Sequence, residues 1–544
     1  MNSKTRLFLG CFMALIATAF GFVIRAMILE DWRVQFGLSG QQIGNLGGVG
    51  LYPFAISIIL FSLIIDKIGY GRAMIFAFVG HAVSAILTIR AQSYQELYWA
   101  TFILALANGT VEAVINPVVA TVYDKNKTHW LNILHAGWPG GLVLGGLLVI
   151  AMTQIPFFGT LGGHLWQWKI GLVLIPTLLY GILLLGVKFP VQERVGAGVS
   201  YMDMLKEFGA GSCFIVSYLL IVAINQMLTV AGVPAMAPWM PLLIAIVPAV
   251  LFGLYVRTFG RPMFIFLMLI MFLLATTELG TDSWIADIMS SVLASPVAGA
   301  LVLVYTSFIM FVLRFFAGPI VHRISPLGLL MTSAAIATAG LLMLSNAGSA
   351  TWMVFLAATC YGVGKTFFWP TTLGVVSEQY PKGGALLLNA IAGVGMLSVG
   401  VLGGPIIGAQ QDAAFVTELK QKDEALYKEM TVTKPGILGE YQALNQDKWQ
   451  KMKDDLAKLK KDGQQDSAAF KELDKQVTLI SGIVVQSKQG TLSKIAILPA
   501  IMFGCYLLLL LYFKSQGGYK AQVLTGHAAS DEKFTGGTQA PMEA

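Results

Sequence analysis

Long apolar runs recur from one end of this chain to the other, most of them about 18 residues or longer. Because the bilayer interior offers no water to backbone polar groups, such runs cross it as α-helices. We predict fourteen of these helices, at residues 7–29, 42–65, 73–90, 97–122, 131–152, 168–188, 210–231, 238–257, 262–281, 296–318, 327–345, 351–376, 385–407 and 494–513. Charged residues make up only 12% of the sequence, against about 25% in a typical soluble domain. The expected fold class is an all-α integral membrane protein.

The predicted spans are arranged as six, two and six. The expected organisation is an N-terminal six-helix bundle at 1–188, a cytoplasmic linker at 189–209, two additional transmembrane helices at 210–257, the first five helices of a C-terminal bundle at 258–410, an extracytoplasmic charged insert at 411–493, the last transmembrane helix at 494–513 and a cytoplasmic polar tail at 514–544. The insert mixes acids and bases in similar numbers, with apolar residues at helical spacing. We expect it to form two or three amphipathic helices outside the membrane.

Basic residues are concentrated in alternate loops, which predicts an orientation because positively charged loops stay in the cytoplasm. If both termini are cytoplasmic, the loops that carry these basic residues all lie on the cytoplasmic side. The residues are Lys67, Arg72, Lys125, Lys127, Arg194, Lys206, Arg257, Arg261, Arg323 and Lys382. We expect a multi-pass protein of the plasma membrane, the inner membrane in a bacterium. These loops account for the net charge of +7, which therefore gives no reason to expect a nucleic-acid partner.

One stretch, residues 107–146, places polar side chains inside apolar spans. Asn108, Glu112 and Asn116 recur every four residues and would share one helix face, while Asn132 and His135 lie one turn apart in the next span. A charge at the centre of a membrane helix costs roughly 2.5–3.5 kcal/mol on insertion scales, so these groups should face a polar cavity or a partner. We expect them to contact solute or a coupling ion, although amides also join helices without binding anything.

The second half of the sequence repeats this arrangement with the charge reversed. Lys365 precedes Pro370 by five residues, as Glu112 precedes Pro117. A Leu-Asn pair and a glycine-rich span follow in both halves; the second pair contains Asn389, and Trp369 offers a face on which a ring could stack.

A looser correspondence relates the first helix of each half. Arg25 precedes a tryptophan by seven residues, and Glu278 precedes another by six. If a twofold axis relates the halves, Arg25, Glu112, Glu278 and Lys365 surround one central cavity and neutralise each other, with Glu112 and Lys365 as neighbours.

The loop from Ser62 to Arg72 resembles the G-x-x-x-D-R-x-G-R-R signature of the major facilitator superfamily, with Ser62 in place of the first glycine and Lys67 in place of the arginine. Within that superfamily, the series from Glu112 through Asn116 and Pro117 to Asn132 is similar to the fucose/glucose/galactose:proton symporter group. The resemblance implies two bundles that rock about a midplane site. It also implies gating contacts by Asp66, Lys67 and Arg72, and we assign Arg323 and Arg314 to gating as well.

The symporter group places an acid on the fourth helix that binds sugar or couples to protons, and Glu112 stands there. The sequence departs from the group at two positions. Arg25 replaces an acid on the first helix, and His135 replaces a glutamine on the fifth. A histidine titrates near neutrality and could take a proton-linked role.

Several chemistries lack their motifs. The sequence contains no G-x-x-x-x-G-K-[ST] run for nucleotide phosphates and no H-E-x-x-H metal pair. The four cysteines stand in separate apolar runs, without the spacing of a disulfide framework or a zinc site. We expect no cofactor, no metal and no enzymatic activity.

The sequence therefore predicts a secondary transporter of a small polar solute, a sugar or polyol, with a proton as coupling partner. Two alternatives stay open at this stage. The additional helix pair is found in drug and metabolite exporters of the same superfamily. A non-transporting receptor or scaffold would instead use the insert at 411–493 to bind a protein partner.

Overall fold

A computed structural model describes residues 2–38, 40–160, 164–230, 232–434 and 440–524. Helices account for nearly all of it. The helices of the first bundle are α1 (Ser3–Phe36), α2 (Gly40–Gly48), α3 (Tyr52–Ile68), α4 (Tyr70–Arg90), α5 (Tyr94–Val122), α6 (Lys127–His135), α7 (Gly137–Gln154), α8 (Pro156–Gly159), α9 (Leu165–Gly171) and α10 (Leu174–Leu184). A connector with the short helix α11 (Glu193–Gly196) leads to α12 (Tyr201–Val230) and α13 (Met240–Val256).

The second bundle has the same general plan with more interruptions. Its helices are α14 (Pro262–Ala275), α15 (Thr281–Val292), α16 (Pro296–Arg314), α17 (Ala317–Asn346), α18 (Thr351–Lys365), α19 (Phe368–Gln379), α20 (Gly384–Ser398), the first part of α21 (Gly404–Lys422), the last part of α24 (Ala468–Ile495) and α25 (Ile497–Ser515). Two π-helical turns, Thr276–Gly280 and Val399–Gly403, join α14 to α15 and α20 to α21. Single π-turns inside helices are common at functional sites.

Twelve helical segments of the described residues are long and apolar enough to cross a membrane, so the predicted count of fourteen is not confirmed. Two predicted spans are shorter than expected. Span 238–257 is the 17-residue helix α13. Span 351–376 is divided into α18 and α19, because Pro370 has no N–H and its ring displaces the carbonyl of Thr366.

Apolar side chains cover the outer surface of the bundles. On α13 they include Leu243, Val247, Leu251 and Leu254, each more than half exposed in the isolated chain. A soluble protein would not leave a continuous apolar face in water, whereas lipid tails cover such a face at no cost. The chain is a multi-pass integral membrane protein.

The region predicted as an insert contains a small folded unit. It consists of the end of α21, α22 (Glu424–Met430), an antiparallel pair of β1 (Thr431–Lys434) and β2 (Tyr441–Leu444), α23 (Gln446–Lys461) and the start of α24. Phe415, Leu419, Trp449 and Ile480 lie in its apolar core. The sequence prediction of helices alone missed the strands, since four-residue strands carry little periodicity. The predicted polar tail at 514–544 lies outside the described residues beyond residue 524.

Glycines allow the helices of each bundle to approach closely. In the second bundle, a Cβ atom added at Gly340 would overlap the backbone of Tyr361, and one added at Gly364 would overlap that of Ala337. Both contacts join α17 to α18. Close backbone approach of this kind gives van der Waals packing, which drives helix association in lipid in the absence of a hydrophobic difference.

We predict that Gly364→Ala destabilises the protein by about 1–3 kcal/mol, because the added methyl group meets backbone that cannot rotate away. Gly504→Ala in α25 is the matched control, since a Cβ there meets nothing within 4 Å. Thermal unfolding of the purified protein in detergent measures both. Equal melting temperatures for the two variants would contradict the packing assigned to Gly364.

Candidate functional site

A small cavity of about 30 Å³ lies between the two bundles. Its wall combines charged, aromatic and apolar side chains from both halves of the chain: Phe54, Glu112, His135, Trp138, Glu278, Leu279, Arg314, Trp369 and Met396. Space of this size holds about one or two water molecules. The bundles therefore lie close together around the cavity, and a larger solute needs them to separate.

On the side of the first bundle, Glu112 belongs to a chain of hydrogen bonds. Asn116 Nδ2 donates to Glu112 Oε2 at 2.7 Å and to the Glu112 carbonyl oxygen at 3.1 Å. Asn116 Oδ1 lies 2.8 Å from His135 Nε2. Because the Asn116 nitrogen already donates to Glu112, its oxygen must accept, which places a proton on His135 Nε2. Glu112, Asn116 and His135 therefore act as one connected unit.

On the side of the second bundle, Glu278 forms an ion pair with Arg314. Arg314 Nη2 donates to Glu278 Oε1 at 3.0 Å, and the amide of Trp369 donates to Glu278 Oε2 at 3.3 Å. Glu278 lies within the π-turn Thr276–Gly280, and both charged side chains are at most 2% exposed. A buried pair of this kind is acceptable in lipid only because each charge has a partner.

Arg314 also binds two backbone carbonyls that prolines have left free. Its Nη1 donates to the carbonyl of His135 at 2.6 Å, and its Nε donates to the carbonyl of Thr366 at 2.8 Å. In an uninterrupted helix the amide four residues later would bond each carbonyl, but those positions are Pro139 and Pro370. Since His135 belongs to the first bundle and Thr366 to the second, Arg314 joins the bundles at the cavity.

Lys365 has a partner that the sequence analysis did not identify. It forms an ion pair with Asp282, and its Nζ lies 5.1 Å from the centre of the Tyr361 ring. The predicted neighbour relation between Lys365 and Glu112 is wrong, because the opposing charge comes from α15 of the same bundle. With Glu278 and Asp282 both paired to bases, Glu112 is the cavity-lining carboxylate that forms no ion pair among the described residues.

The structure places the four charges predicted around one cavity in three different environments. Glu112 and Glu278 line the cavity, and Lys365 lies behind its wall with Asp282. Arg25 is not among the lining residues; its guanidinium lies against Gly50, at the turn before α3. The predicted ring of mutually neutralising charges does not form, because the second bundle neutralises its own charges.

The predicted amides divide between the network and helix contacts. Asn108 Oδ1 lies 2.8 Å from His81 Nε2, away from the cavity. Asn132 donates to the carbonyl of Thr128 at 2.8 Å and to Thr371 Oγ1 at 3.2 Å. Asn389 donates to the carbonyl of Ala113 at 2.9 Å. That carbonyl is again free because a proline, Pro117, stands four residues later.

The residues assigned to gating lie at one end of the bundles. Asp66 forms a buried ion pair with Arg194 of the connector, and Lys67 lies 5.7 Å from the centre of the Tyr201 ring. Arg72 and Arg323 are exposed. Arg314, also assigned to gating, lies away from this end; its side chain lines the cavity and pairs with Glu278.

Contacts that the sequence analysis missed close this end. Lys127 Nζ lies 2.6 Å from Glu193 Oε2. Glu378 Oε1 accepts from Thr128 Oγ1 at 2.5 Å across the bundles, and Glu378 Oε2 accepts from Tyr519 at 2.8 Å. No motif marks Glu378 in the sequence, since its partners come from distant segments.

At the other end, the turn before α3 meets the second bundle. A Cβ added at Gly400 would lie 3.4 Å from Leu51 Cβ. Tyr52 donates to Gln226 Oε1 at 3.1 Å, and Gln226 Nε2 donates to the carbonyl of Val401 at 3.0 Å. The additional helix α12 therefore links both bundles here. Contacts between the bundles therefore lie at both ends of the molecule.

This geometry defines a class: a multi-pass membrane protein whose two helical bundles enclose a charged central cavity. The profile of the Major Facilitator Superfamily matches residues 7–405. The chain belongs to that superfamily.

Comparison with known proteins supports the assignment. The transporter FucP in its outward conformation superposes with a TM-score of 0.51 and 16% identity, covering 76% of this chain and 94% of FucP. The proton:xylose symporter XylE superposes with a TM-score of 0.54 and 14% identity, covering 78% and 90%. These likenesses establish the shared fold.

Two curated sequences are also similar. A probable nitrate/nitrite antiporter, NarK1 of Thermus thermophilus, is 26% identical over 32% of this chain and 40% of its own length. A probable 4-methylmuconolactone transporter of Cupriavidus pinatubonensis is 22% identical over 44% of this chain and 55% of its own. The chain thus spans about half or less of each relative.

We predict that Glu278→Gln destabilises the protein by about 3–5 kcal/mol, because it leaves the Arg314 charge buried and unpaired. Adding Arg314→Gln should restore part of the loss, since both charges are then removed. Glu424→Gln, which breaks an exposed ion pair with Lys428, is the control and should change stability by at most about 1 kcal/mol. Thermal unfolding checks all three; a double variant less stable than Glu278→Gln alone would refute the pairing.

Proposed function

We propose that the protein is a secondary active transporter that moves a small hydroxylated solute, a sugar or polyol, by alternating access with proton coupling at Glu112. The observation that carries the proposal is how the buried carboxylates at the cavity and behind its wall are held. Glu278 and Asp282 are held by bases, whereas Glu112 is held by a neutral amide. Adding a proton to Glu112 removes a charge from the closed cavity without breaking an ion pair.

Charge neutralisation explains why a proton would accompany the solute. When the bundles close around an empty site with Glu112 ionised, its negative charge is buried without a paired cation. Burying an unpaired charge away from water is costly. With Glu112 protonated, that cost disappears. His135 donates to Asn116 Oδ1 and so keeps the Asn116 N–H directed at Glu112, the group that exchanges the proton.

The surroundings of Glu112 suit a hydroxylated solute. A carboxyl group and the amide network offer acceptors and donors for hydroxyl groups, and the Trp138 and Trp369 rings offer faces for a sugar ring. Asn108, Asn132 and Asn389 hold the helices around this site instead of facing it. The superfamily relatives XylE and NarK1 carry small polar solutes by name, which agrees with the proposal at the level of solute size.

Because the bundles are in contact at both ends of the molecule, a solute can enter the cavity only when the contacts at one end separate. We propose that one end opens at a time. We propose that Asp66, Lys67, Arg72 and Arg323 belong to the cytoplasmic gate, together with the contacts of Lys127 and Thr128 described above. We place the gate formed by Leu51 and Gly400 on the opposite face. The unit between α21 and α24, the predicted 411–493 insert, lies on that opposite face as well, with both termini in the cytoplasm and the protein in the plasma membrane.

We predict that Glu112→Gln abolishes solute accumulation driven by a pH gradient, because glutamine cannot release a proton. Exchange of solute across proteoliposomes at equal pH should continue. Labelled D-glucose, L-fucose, D-xylose and D-mannitol are the probes, and Asp203→Asn, an exposed carboxyl, is the control. If the Glu112→Gln variant still accumulates solute in response to the pH gradient, Glu112 is not the proton-coupling residue.

A disulfide between the bundles tests alternating access. In a background without Cys11, Cys213, Cys360 and Cys505, we introduce Leu51→Cys and Gly400→Cys, whose Cβ atoms would lie 3.4 Å apart, close to the usual disulfide spacing of about 3.8 Å. Oxidation should stop transport by the double variant, and reduction should restore it. Transport by each single-cysteine variant should be unchanged by the oxidant. Full transport by the cross-linked protein would show that this contact does not open.

A further inference from the structure

Arg25 is a buried cation for which the structure provides no counter-charge. The residue is 6% exposed on α1, and it forms no hydrogen bond or ion pair with the described residues. The buried bases Arg314, Lys365, Lys127 and Lys169 each pair with a carboxylate. An isolated cation in a membrane protein is costly, so a site that keeps one is expected to bind something negative.

The chain makes specific room for this guanidinium. A Cβ added at Gly50 would overlap its terminal nitrogens, so any other residue at that position would displace the guanidinium. At Gly47, three residues earlier in the same glycine-rich segment, a Cβ would meet nothing within 4 Å. The guanidinium therefore occupies the space that the missing Gly50 side chain leaves open.

The position of Arg25 connects it to the central cavity. Phe22, one turn before Arg25 on α1, packs against the cavity-lining Trp138 with ring centres 5.5 Å apart. Gly50, in the turn before α3, lies four residues before Phe54, which also lines the cavity. Leu51, beside Gly50, contacts Gly400 of the second bundle. Arg25 thus lies beside the segment where the bundles meet, near the cavity wall.

We propose that Arg25 binds the carboxylate of the transported solute, so that the solute is a hydroxylated monocarboxylate, a sugar acid, whose hydroxyl groups reach Glu112. This inference rests on the proposed function and narrows its solute class. A planar guanidinium suits a carboxylate because it can donate two parallel hydrogen bonds. With Glu112 protonated and a monoanion on Arg25, every charge described along this path has a partner.

The test compares sugar acids with their uncharged counterparts on the full-length purified protein. The pairs are D-gluconate with D-glucitol and D-galacturonate with D-galactose, and acetate serves as a bare carboxylate. Stabilisation of the protein against heating, as a function of concentration, gives each Kd. In the unmodified protein we expect each acid to bind at least about tenfold more tightly than its uncharged counterpart and than acetate, since a charge-assisted hydrogen bond is worth about one tenfold step or more.

Four variants separate the site from general effects. Arg25→Gln and Gly50→Ala should remove the preference for the acid, the first by deleting the charge and the second by displacing it. Arg25→Lys and Gly47→Ala should keep the preference, the latter as the matched glycine control. If Arg25→Gln does not fold, the contrast between Gly50→Ala and Gly47→Ala decides.

The outcomes distinguish this inference from the proposed function. Uncharged sugars that bind as tightly as the acids, or acids that bind Arg25→Gln and Gly50→Ala unchanged, would overturn the anion site and leave the sugar transporter intact. Acetate binding as tightly as gluconate would overturn the sugar-acid assignment and leave a bare anion site. Failure of every sugar and acid to bind would overturn both proposals.

Discussion

The structure depends on how polar groups are satisfied where no water reaches them. Three prolines, Pro117, Pro139 and Pro370, remove amide hydrogens from membrane helices and so leave the carbonyls of Ala113, His135 and Thr366 without helical partners. Asn389 donates to the carbonyl of Ala113, and Arg314 donates to those of His135 and Thr366. The bonds to Ala113 and His135 join one bundle to the other. The interruptions that weaken single helices therefore supply the acceptors that align the two halves around the cavity.

The two bundles handle their buried charges differently. The second bundle pairs Glu278 with Arg314 and Asp282 with Lys365. Each ion pair has no net charge as long as its two side chains stay in contact. The first bundle holds Glu112 by a neutral amide and Arg25 against a glycine. Paired charges stabilise the buried helices without a ligand. An unpaired buried charge is instead stabilised when a proton or an anion binds and neutralises it. This asymmetry is the physical basis for assigning coupling and recognition to the first bundle.

The sequence alone supported the fold well and the site in part. Apolar runs predicted membrane helices because the hydrocarbon thickness sets their length, and the family followed from one loop and a repeated polar pattern. The position of Glu112 and Glu278 at a common cavity agreed with the expectation that ionisable groups in membrane helices face inward. The helix count was harder, since Pro370 divides one span and α13 is only 17 residues long.

What the sequence determined by itself was which segments enter the membrane and which of them carry charge, since both follow from local composition. Which charge meets which was decided by the tertiary structure. Asp282 is the partner of Lys365, and Arg314 pairs with Glu278 at the cavity wall, through packing between α15, α16 and α18. Arg25 has no partner among the described residues, and its guanidinium lies against Gly50. Pairing in lipid depends on distances of a few ångströms between helices far apart in the chain, and no local pattern encodes those distances.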